Sequence, residues 1–264
     1  MTGVAVESVR MHDAAQMTGN PQAAAVPAGS AGSAAPATAE TSRSAGEHPP
    51  EVPEPLIYSV GRIFARPWAD LWFDLKVYGV EKVPKRGGVL IVSNHQSFLD
   101  PVLFAVKLPR PLSFFAKSEL FENKYFGAFI RSLNAFPVRQ GEGDIGAVKE
   151  VIRRLQEGHA LNVYPEGART RNGELDKMQP GVGLMIRRAQ VPVVPAVIDG
   201  SFDAWPRGSG QKIFKPHPIR IVFGDPVELH HLKAPHLIER IGNTLNTMLN
   251  DLRRRERERK HARR

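Results

Sequence analysis

A histidine and an aspartate stand five residues apart at His95 and Asp100. An imidazole beside a carboxylate takes a proton from a substrate hydroxyl while the carboxylate orients the ring and stabilises the imidazolium. On one continuous helix this spacing would turn the two side chains about 140° away from each other, at roughly 3.6 residues per turn. They can meet only across a bend, and the local sequence supplies one. Val89-Leu90-Ile91-Val92 is a short apolar, β-branched run that reads as a buried strand. Asp100-Pro101 then reads as a helix start, with Asp100 at the N-cap and proline at the first helical position. The plain reading of Asp100 is that cap alone, and of His95 a surface loop residue. The two roles of Asp100 are compatible, because a carboxylate has about four acceptor sites.

Further residues able to do chemistry follow other strand-like runs: Lys117 after Leu112-Ser113-Phe114-Phe115-Ala116, Arg139 after Ala135-Phe136-Pro137-Val138, and Glu166 and Arg169 after Ala160-Leu161-Asn162-Val163-Tyr164. In an open α/β sheet, sites form outside the strand ends, so these positions are expected to converge on His95. Arginine offers a planar fork that matches phosphate, and Glu166 could hold one of the arginines in place. Ser97 is the rival nucleophile, but it lacks the Gly-x-Ser-x-Gly elbow that exposes a catalytic serine. The absence of cysteine excludes thiolate chemistry and disulfides, and no second histidine clusters with His95 to hold a metal. His230, His231 and His236 read as surface residues. General base catalysis on a substrate's own hydroxyl, without a covalent enzyme intermediate, is the chemistry these residues permit.

The elements that must position them alternate strand and helix, which implies an α/β fold: a mostly mixed or parallel central sheet flanked by helices, in a single catalytic domain. Helices are expected over 120–132, 145–155, 183–190 and 235–252, and further strands over 77–81, 193–198 and 219–224. Leu56, Ile57, Val60, Ile63, Phe64, Trp68, Leu71, Trp72 and Leu75 recur at three and four residue steps, interrupted by Pro67. This is an N-terminal amphipathic helical segment, continuous or kinked at the proline, whose stripe packs either on the protein's own core or in a bilayer interface.

Residues 1–54 are rich in Ala, Gly, Ser, Thr and Pro and read as a disordered leader, 55–252 as the catalytic domain and 253–264 as a basic tail. The start of the chain does not read as a secretory signal, and no apolar run is long enough to span a bilayer. The formal net charge is +9, with −4 on residues 1–54 and +6 on 253–264. A basic domain suits an anionic partner such as a membrane surface or a phosphorylated small molecule. The tail itself, where Arg and Glu alternate, reads as a solvated helix end. A non-enzymatic binder of anionic lipid or nucleic acid is the reading that would rest on it.

Four blocks in order carry a family resemblance: Asn94-His95 through Asp100, Phe136-Pro137-Val138-Arg139, Tyr164-Pro165-Glu166-Gly167-Ala168-Arg169, and Val191-Pro192-Val193-Val194-Pro195. They resemble the motifs of the glycerolipid acyltransferases, in particular the PlsC-like 1-acyl-glycerol-3-phosphate acyltransferases. Ala116-Lys117-Ser118-Glu119-Leu120 and Lys177-Met178-Gln179-Pro180-Gly181 extend the likeness, which covers about residues 57–230.

The resemblance implies that His95, oriented by Asp100, activates the free hydroxyl of a lysophospholipid for attack on an acyl thioester. The donor would be acyl-CoA or acyl-carrier protein, as substrate and not cofactor. It also implies that Asn94, Lys117, Arg139, Glu166, Gly167 and Arg169 bind substrate, and that the enzyme is peripheral, on the cytoplasmic face of the membrane, with no nucleic-acid partner. Asn134 and Gln179 depart from common family residues, which leaves another lysolipid or a glycolipid open as acceptor. A hydrolase using Ser97 is the other alternative.

Overall fold

The computed structural model describes residues 52–138, 145–208 and 214–262; Arg139 and the side chain of Lys117 lie outside the described residues. Seven strands form one sheet: β1 (Lys76–Tyr78), β2 (Val89–Ser93), β3 (Leu112–Lys117), β4 (Ala135–Val138), β5 (Ala160–Val163), β6 (Val193–Asp199) and β7 (Arg220–Phe223). Their order across the sheet is β1-β7-β6-β2-β5-β3-β4. Pairing is parallel throughout except between β6 and β7. The sheet is therefore mixed, as expected, and β2, β3, β4, β5 and β6 all end at one edge.

β2 is buried at every residue, which explains its unbroken apolar run: a central parallel strand has both faces covered. Val89 and Ile91 face one core with Phe73, Leu103 and Phe104, whereas Leu90 and Val92 face the other with Leu155, Ile186, Leu237 and Leu245. The first layer is built by helices α1 (Leu56–Phe73) and α2 (Asp100–Lys107). The second is built by α4 (Ile145–Gln156), α5 (Gly181–Ala189) and α7 (Ala234–Ala262). Between them in sequence come α3 (Lys124–Ser132) and the short α6 (Ser201–Ala204), which has no apolar period to announce it.

Three elements differ from their sequence reading. The helix expected from 120 begins at Lys124, because Asn123 accepts from the amides of Tyr125 and Phe126 and so caps it; residues 118–121 form a separate tight turn. The helix expected to end at 252 continues unbroken to Ala262, and residues read as a solvated end are bonded: Arg253 to Glu174 and Asp199, Glu256 to Arg220, and Arg259 to the Tyr78 hydroxyl. The α1 segment is a single helix despite Pro67, which lies on its exposed face, so the Ile63 carbonyl it leaves without an amide donor is on the outward side.

The orientation of α1 is unusual for an amphipathic helix. Arg62 donates to the carbonyl of Leu108 at 2.9 Å, Arg66 to that of Val106 at 2.6 Å, and the Leu112 amide donates to the Tyr58 hydroxyl at 3.0 Å. The polar groups thus fasten the helix to the fold, and only Tyr58, Ala69 and Phe73 are buried in it. Leu56, Phe64 and Leu71 stand 80%, 72% and 89% exposed. The larger part of the apolar stripe is not packed on the core. No helix among the described residues is long and apolar enough to cross a membrane.

Asn134 occupies the left-handed region with φ of 63°, at the bend that enters β4. Asparagine tolerates that region better than other residues with a side chain. Asn134→Gly is expected to leave stability within about 0.5 kcal/mol, and Asn134→Val to lower it by about 1–2 kcal/mol, as read by urea unfolding.

Candidate active site

β2 delivers His95 to the sheet edge through Asn94. The Asn94 side-chain amide donates to the Ile198 carbonyl at 2.8 Å and accepts from the Ile198 amide at 2.8 Å, so it extends the ladder to β6 as an added strand residue would. Asn94 is buried and both its polar groups are engaged. It therefore shapes the strand end and does not present itself to substrate, contrary to the sequence expectation.

The loop after β5 then grips the His95 backbone from both sides. Glu166 Oε1 accepts from the His95 amide at 2.7 Å, and the Thr170 amide donates to the His95 carbonyl at 2.8 Å. The second Glu166 oxygen accepts from the Asp176 amide at 2.9 Å. Among the described residues Glu166 thus holds main chain and no arginine, so the expected pairing with Arg169 is corrected, while Arg139 lies outside the described residues. Gly167, at φ of 72°, makes the turn that lets one short loop provide both contacts, and a Cβ there would lie 3.1 Å from Gln179.

His95 Nδ1 lies 2.8 Å from Asp100 Oδ2. The same oxygen accepts from the backbone amides of Gln96 at 2.6 Å and Ser97 at 2.8 Å, and Ser201 donates to Oδ1 at 2.6 Å. Asp100 is the first residue of α2, preceded by Leu99 as N-cap, so the expected capping role is corrected. Its carboxylate reaches back into the connecting turn, closed by the Asp100 amide on the Ser97 carbonyl, and not over the first helical turn. A carboxylate with 0% exposure thus has four hydrogen-bond donors about it, the imidazole among them. With Nδ1–H committed to Asp100, Nε2 is the ring nitrogen able to accept a proton. The ring is fixed in plane by Tyr164, stacked at 3.8 Å and 13°. Burial, then the charge of Asp100, pushes the Tyr164 hydroxyl well above its usual range, so it stays neutral.

Arg169 leaves the same loop and lays its guanidinium 3.4 Å from the centre of the Phe98 ring, within the segment that links His95 to Asp100. Arg207 donates to the Arg169 carbonyl at 3.3 Å. Burial, and then the nearby charge of Arg207, pulls the Arg169 guanidinium below its ordinary value. Among the described residues neither arginine makes an ion pair, and Asp100 is the carboxylate whose charge acts on Arg169 from nearby. Lys117 ends β3 at the same sheet edge. Ser97 is fully buried, and its hydroxyl donates to the Trp205 carbonyl at 3.0 Å.

Gln96, Tyr164, Ser201 and Arg207 escaped the sequence reading. Ser201 meets Asp100 from 101 positions away in sequence. The only local sign is Gly200, whose φ of 93° and close approach to the Pro218 carbonyl allow the bend after β6.

A mixed α/β sheet with a buried carboxylate, an oriented histidine and a cationic loop at parallel strand ends is an arrangement able to take a proton from a bound hydroxyl. A sequence model of the family described as Acyltransferase matches residues 74–199. The chain is 29% identical over 182 residues to the 1-acyl-sn-glycerol-3-phosphate acyltransferase of Bacillus subtilis (strain 168), covering 67% of this chain and 87% of that protein. It is 27% identical over 176 residues to the protein of that name from Streptococcus pneumoniae, covering 64% and 62% of the two chains. The crystal structure of the acyltransferase PlsC from Thermotoga maritima is similar with a TM-score of 0.65 at 25% identity, over 75% of this chain and 79% of that one. The chain is thus similar to acyltransferases in sequence over residues 74–199 and in fold.

Burial pushes the Glu166 carboxyl up to about 7 from 4.5, against the downward pull of the Asp176 and His95 amides. Its folded value is raised, so the folded chain binds this proton more tightly than the unfolded chain. Its contribution is fully present below about 4.5 and is lost as pH rises through about 7. Wild type is expected to lose on the order of 3 kcal/mol relative to Glu166→Gln across that window, checked by urea unfolding of both proteins from pH 4 to 8.

Proposed function

We propose that this enzyme transfers a fatty acyl group from an acyl thioester to the free hydroxyl of 1-acylglycerol 3-phosphate, giving phosphatidic acid. The observation that carries the reading is the oriented base His95 beside Arg169 and Arg207, two guanidiniums with no carboxylate partner among the described residues. A phosphate monoester supplies the missing negative charge, and the forked donors of arginine suit its oxygens. The names of the Bacillus and Streptococcus relatives support the same acceptor.

In the reaction, His95 Nε2 removes the acceptor hydroxyl proton as the oxygen attacks the thioester carbonyl. The tetrahedral intermediate collapses with cleavage of the C–S bond, and the departing thiolate takes the proton from the imidazolium. Atoms and charge balance without an acyl-enzyme. Asp100 keeps the productive tautomer and stabilises the transient cation. The thiol is that of CoA or of an acyl-carrier protein, and a head group other than phosphate is the second acceptor class.

The outward apolar face of α1 supports action at a membrane surface. A face of Leu56, Ile63, Phe64 and Leu71 flanked by Trp68 and Trp72 suits the headgroup–acyl boundary of the cytoplasmic leaflet, and a basic protein suits anionic lipid. The enzyme acts there as a peripheral protein.

His95→Ala and Asp100→Asn are each expected to lower transfer from acyl-CoA to lysophosphatidic acid by roughly 10²–10⁴-fold in folded protein. Ser97→Ala is expected to retain turnover within several-fold. A panel of lysolipid acceptors assayed with one acyl-CoA and one acyl-carrier protein tests the substrate assignment, and equal or better use of acceptors lacking the phosphate would overturn it. Phe64→Glu with Leu71→Glu is expected to weaken co-sedimentation with phosphatidylglycerol vesicles at least several-fold while leaving the thermal unfolding midpoint in place.

A further inference from the structure

The last helix reaches the active site. Arg253, on α7, donates through Nη1 to both carboxylate oxygens of Glu174 at 2.8 Å, through Nη2 to the Gly173 carbonyl at 2.8 Å, and through Nε to Asp199 at 3.0 Å. It thereby ties the loop after β5 to the end of β6. Its side chain is only 21% exposed, although it opens the segment whose composition reads as a solvated tail.

Both tied points lead to Asp100. The Gly173 carbonyl also accepts from the Gln96 side-chain amide at 3.1 Å, and Gln96 is the residue between His95 and the turn. The Gln96 side-chain oxygen in turn accepts from the Phe202 amide at 3.3 Å and lies 3.3 Å from the Ser201 hydroxyl. Ser201 has a single hydrogen, and its 2.6 Å contact assigns that hydrogen to Asp100 Oδ1. Asp199 lies two residues before Ser201, across the left-handed Gly200. Arg253 therefore restrains the positions of Gly173 and Asp199, which between them set Gln96, whose main-chain amide donates to Asp100, and Ser201, whose hydroxyl does.

We infer that Arg253 is a positioning residue for the His95–Asp100 base, acting through Gly173–Gln96 and Asp199–Ser201, so that the α7 extension beyond residue 252 is a working part of the active site. This rests on the reading of His95–Asp100 as the general base pair. A guanidinium is required because the three acceptors lie on three groups in different directions; a single ammonium on a longer flexible stem cannot serve them with fixed geometry.

The test is steady-state acyl transfer by the full chain carrying Arg253→Met, Arg253→Lys, Ser201→Ala, or Arg253→Met with Ser201→Ala, with His95→Ala and Arg259→Met as controls. Arg259 contacts only Tyr78 and Glu256 through its guanidinium in the described structure, and is expected to be silent when replaced. Arg253→Met is expected to lower kcat about ten-fold or more, with KM for both substrates within about three-fold. The acidic limb of its pH–rate profile should move to lower pH, as the imidazolium loses part of its carboxylate support. Arg253→Lys should recover part of the loss. In the Ser201→Ala background, Arg253→Met should cost clearly less than it does alone, since both act on the same carboxylate.

Unchanged kcat in Arg253→Met and Arg253→Lys, with His95→Ala inactive, would overturn this inference and leave the base assignment standing. Full activity of His95→Ala would overturn the base assignment itself. If Arg253→Met fails to fold, Arg253→Lys and Glu174→Gln carry the test. Additive losses with Ser201→Ala and an unmoved pH profile would then assign Arg253 to stability alone.

Discussion

Asp100 is a fully buried carboxylate, and the architecture around it follows from the need to keep that charge satisfied. An unpaired ion in such a place would cost several kcal/mol. Four donors prevent this: the imidazole, two main-chain amides of the connecting turn, and a serine hydroxyl brought from the end of another strand. Each donor requires a piece of backbone to be where it is. β2 must end beside β6, which the Asn94 side chain secures by borrowing both polar groups of Ile198. The loop after β5 must hold the His95 main chain, which Glu166 and Thr170 do. His95, the proposed base, is thus the visible end of a network reaching across three adjacent strands.

The outer layer follows a different rule. On α1 the arginines point toward the fold, where main-chain carbonyls at the end of α2 receive them, and Leu56, Ile63, Phe64 and Leu71 point away. In water this arrangement exposes apolar surface that a folded chain would otherwise bury. It becomes favourable when the medium outside is itself apolar. The interior network and the outward stripe are joined by aromatic contacts running from Trp68 through Phe214 and Trp205 to Phe98, the ring beneath Arg169.

What could be read from sequence divides along the same lines. β2 and β6 were legible because strands covered on both faces carry long apolar runs, and the strand–turn–helix logic around His95 and Asp100 needed only local spacing. The roles of Asn94 and Glu166 were not legible. Family likeness marks such residues as important, whereas the partners that decide what they do lie 104 and 71 positions away. Periodicity showed that α1 has an apolar stripe, but period alone does not say whether the stripe faces in or out. Similarly, the alternation of Arg and Glu beyond residue 252 describes a helix that is charged, and only the fold reveals that Arg253 faces Glu174 and Asp199 rather than solvent.

The two amide bonds that the turn gives to Asp100 come from the main chain of Gln96 and Ser97, and so do not depend on which side chains those residues carry. For those two bonds alone, the segment between base and carboxylate tolerates wide chemical variation with one exception: proline at 96 or 97 has no N–H to give. Its length is another matter, since adding or removing one residue would rotate both amides off the carboxylate. A motif defined by a fixed count between His95 and Asp100 is, in these terms, a ruler made of backbone, strict in its number of units and lenient about their identity.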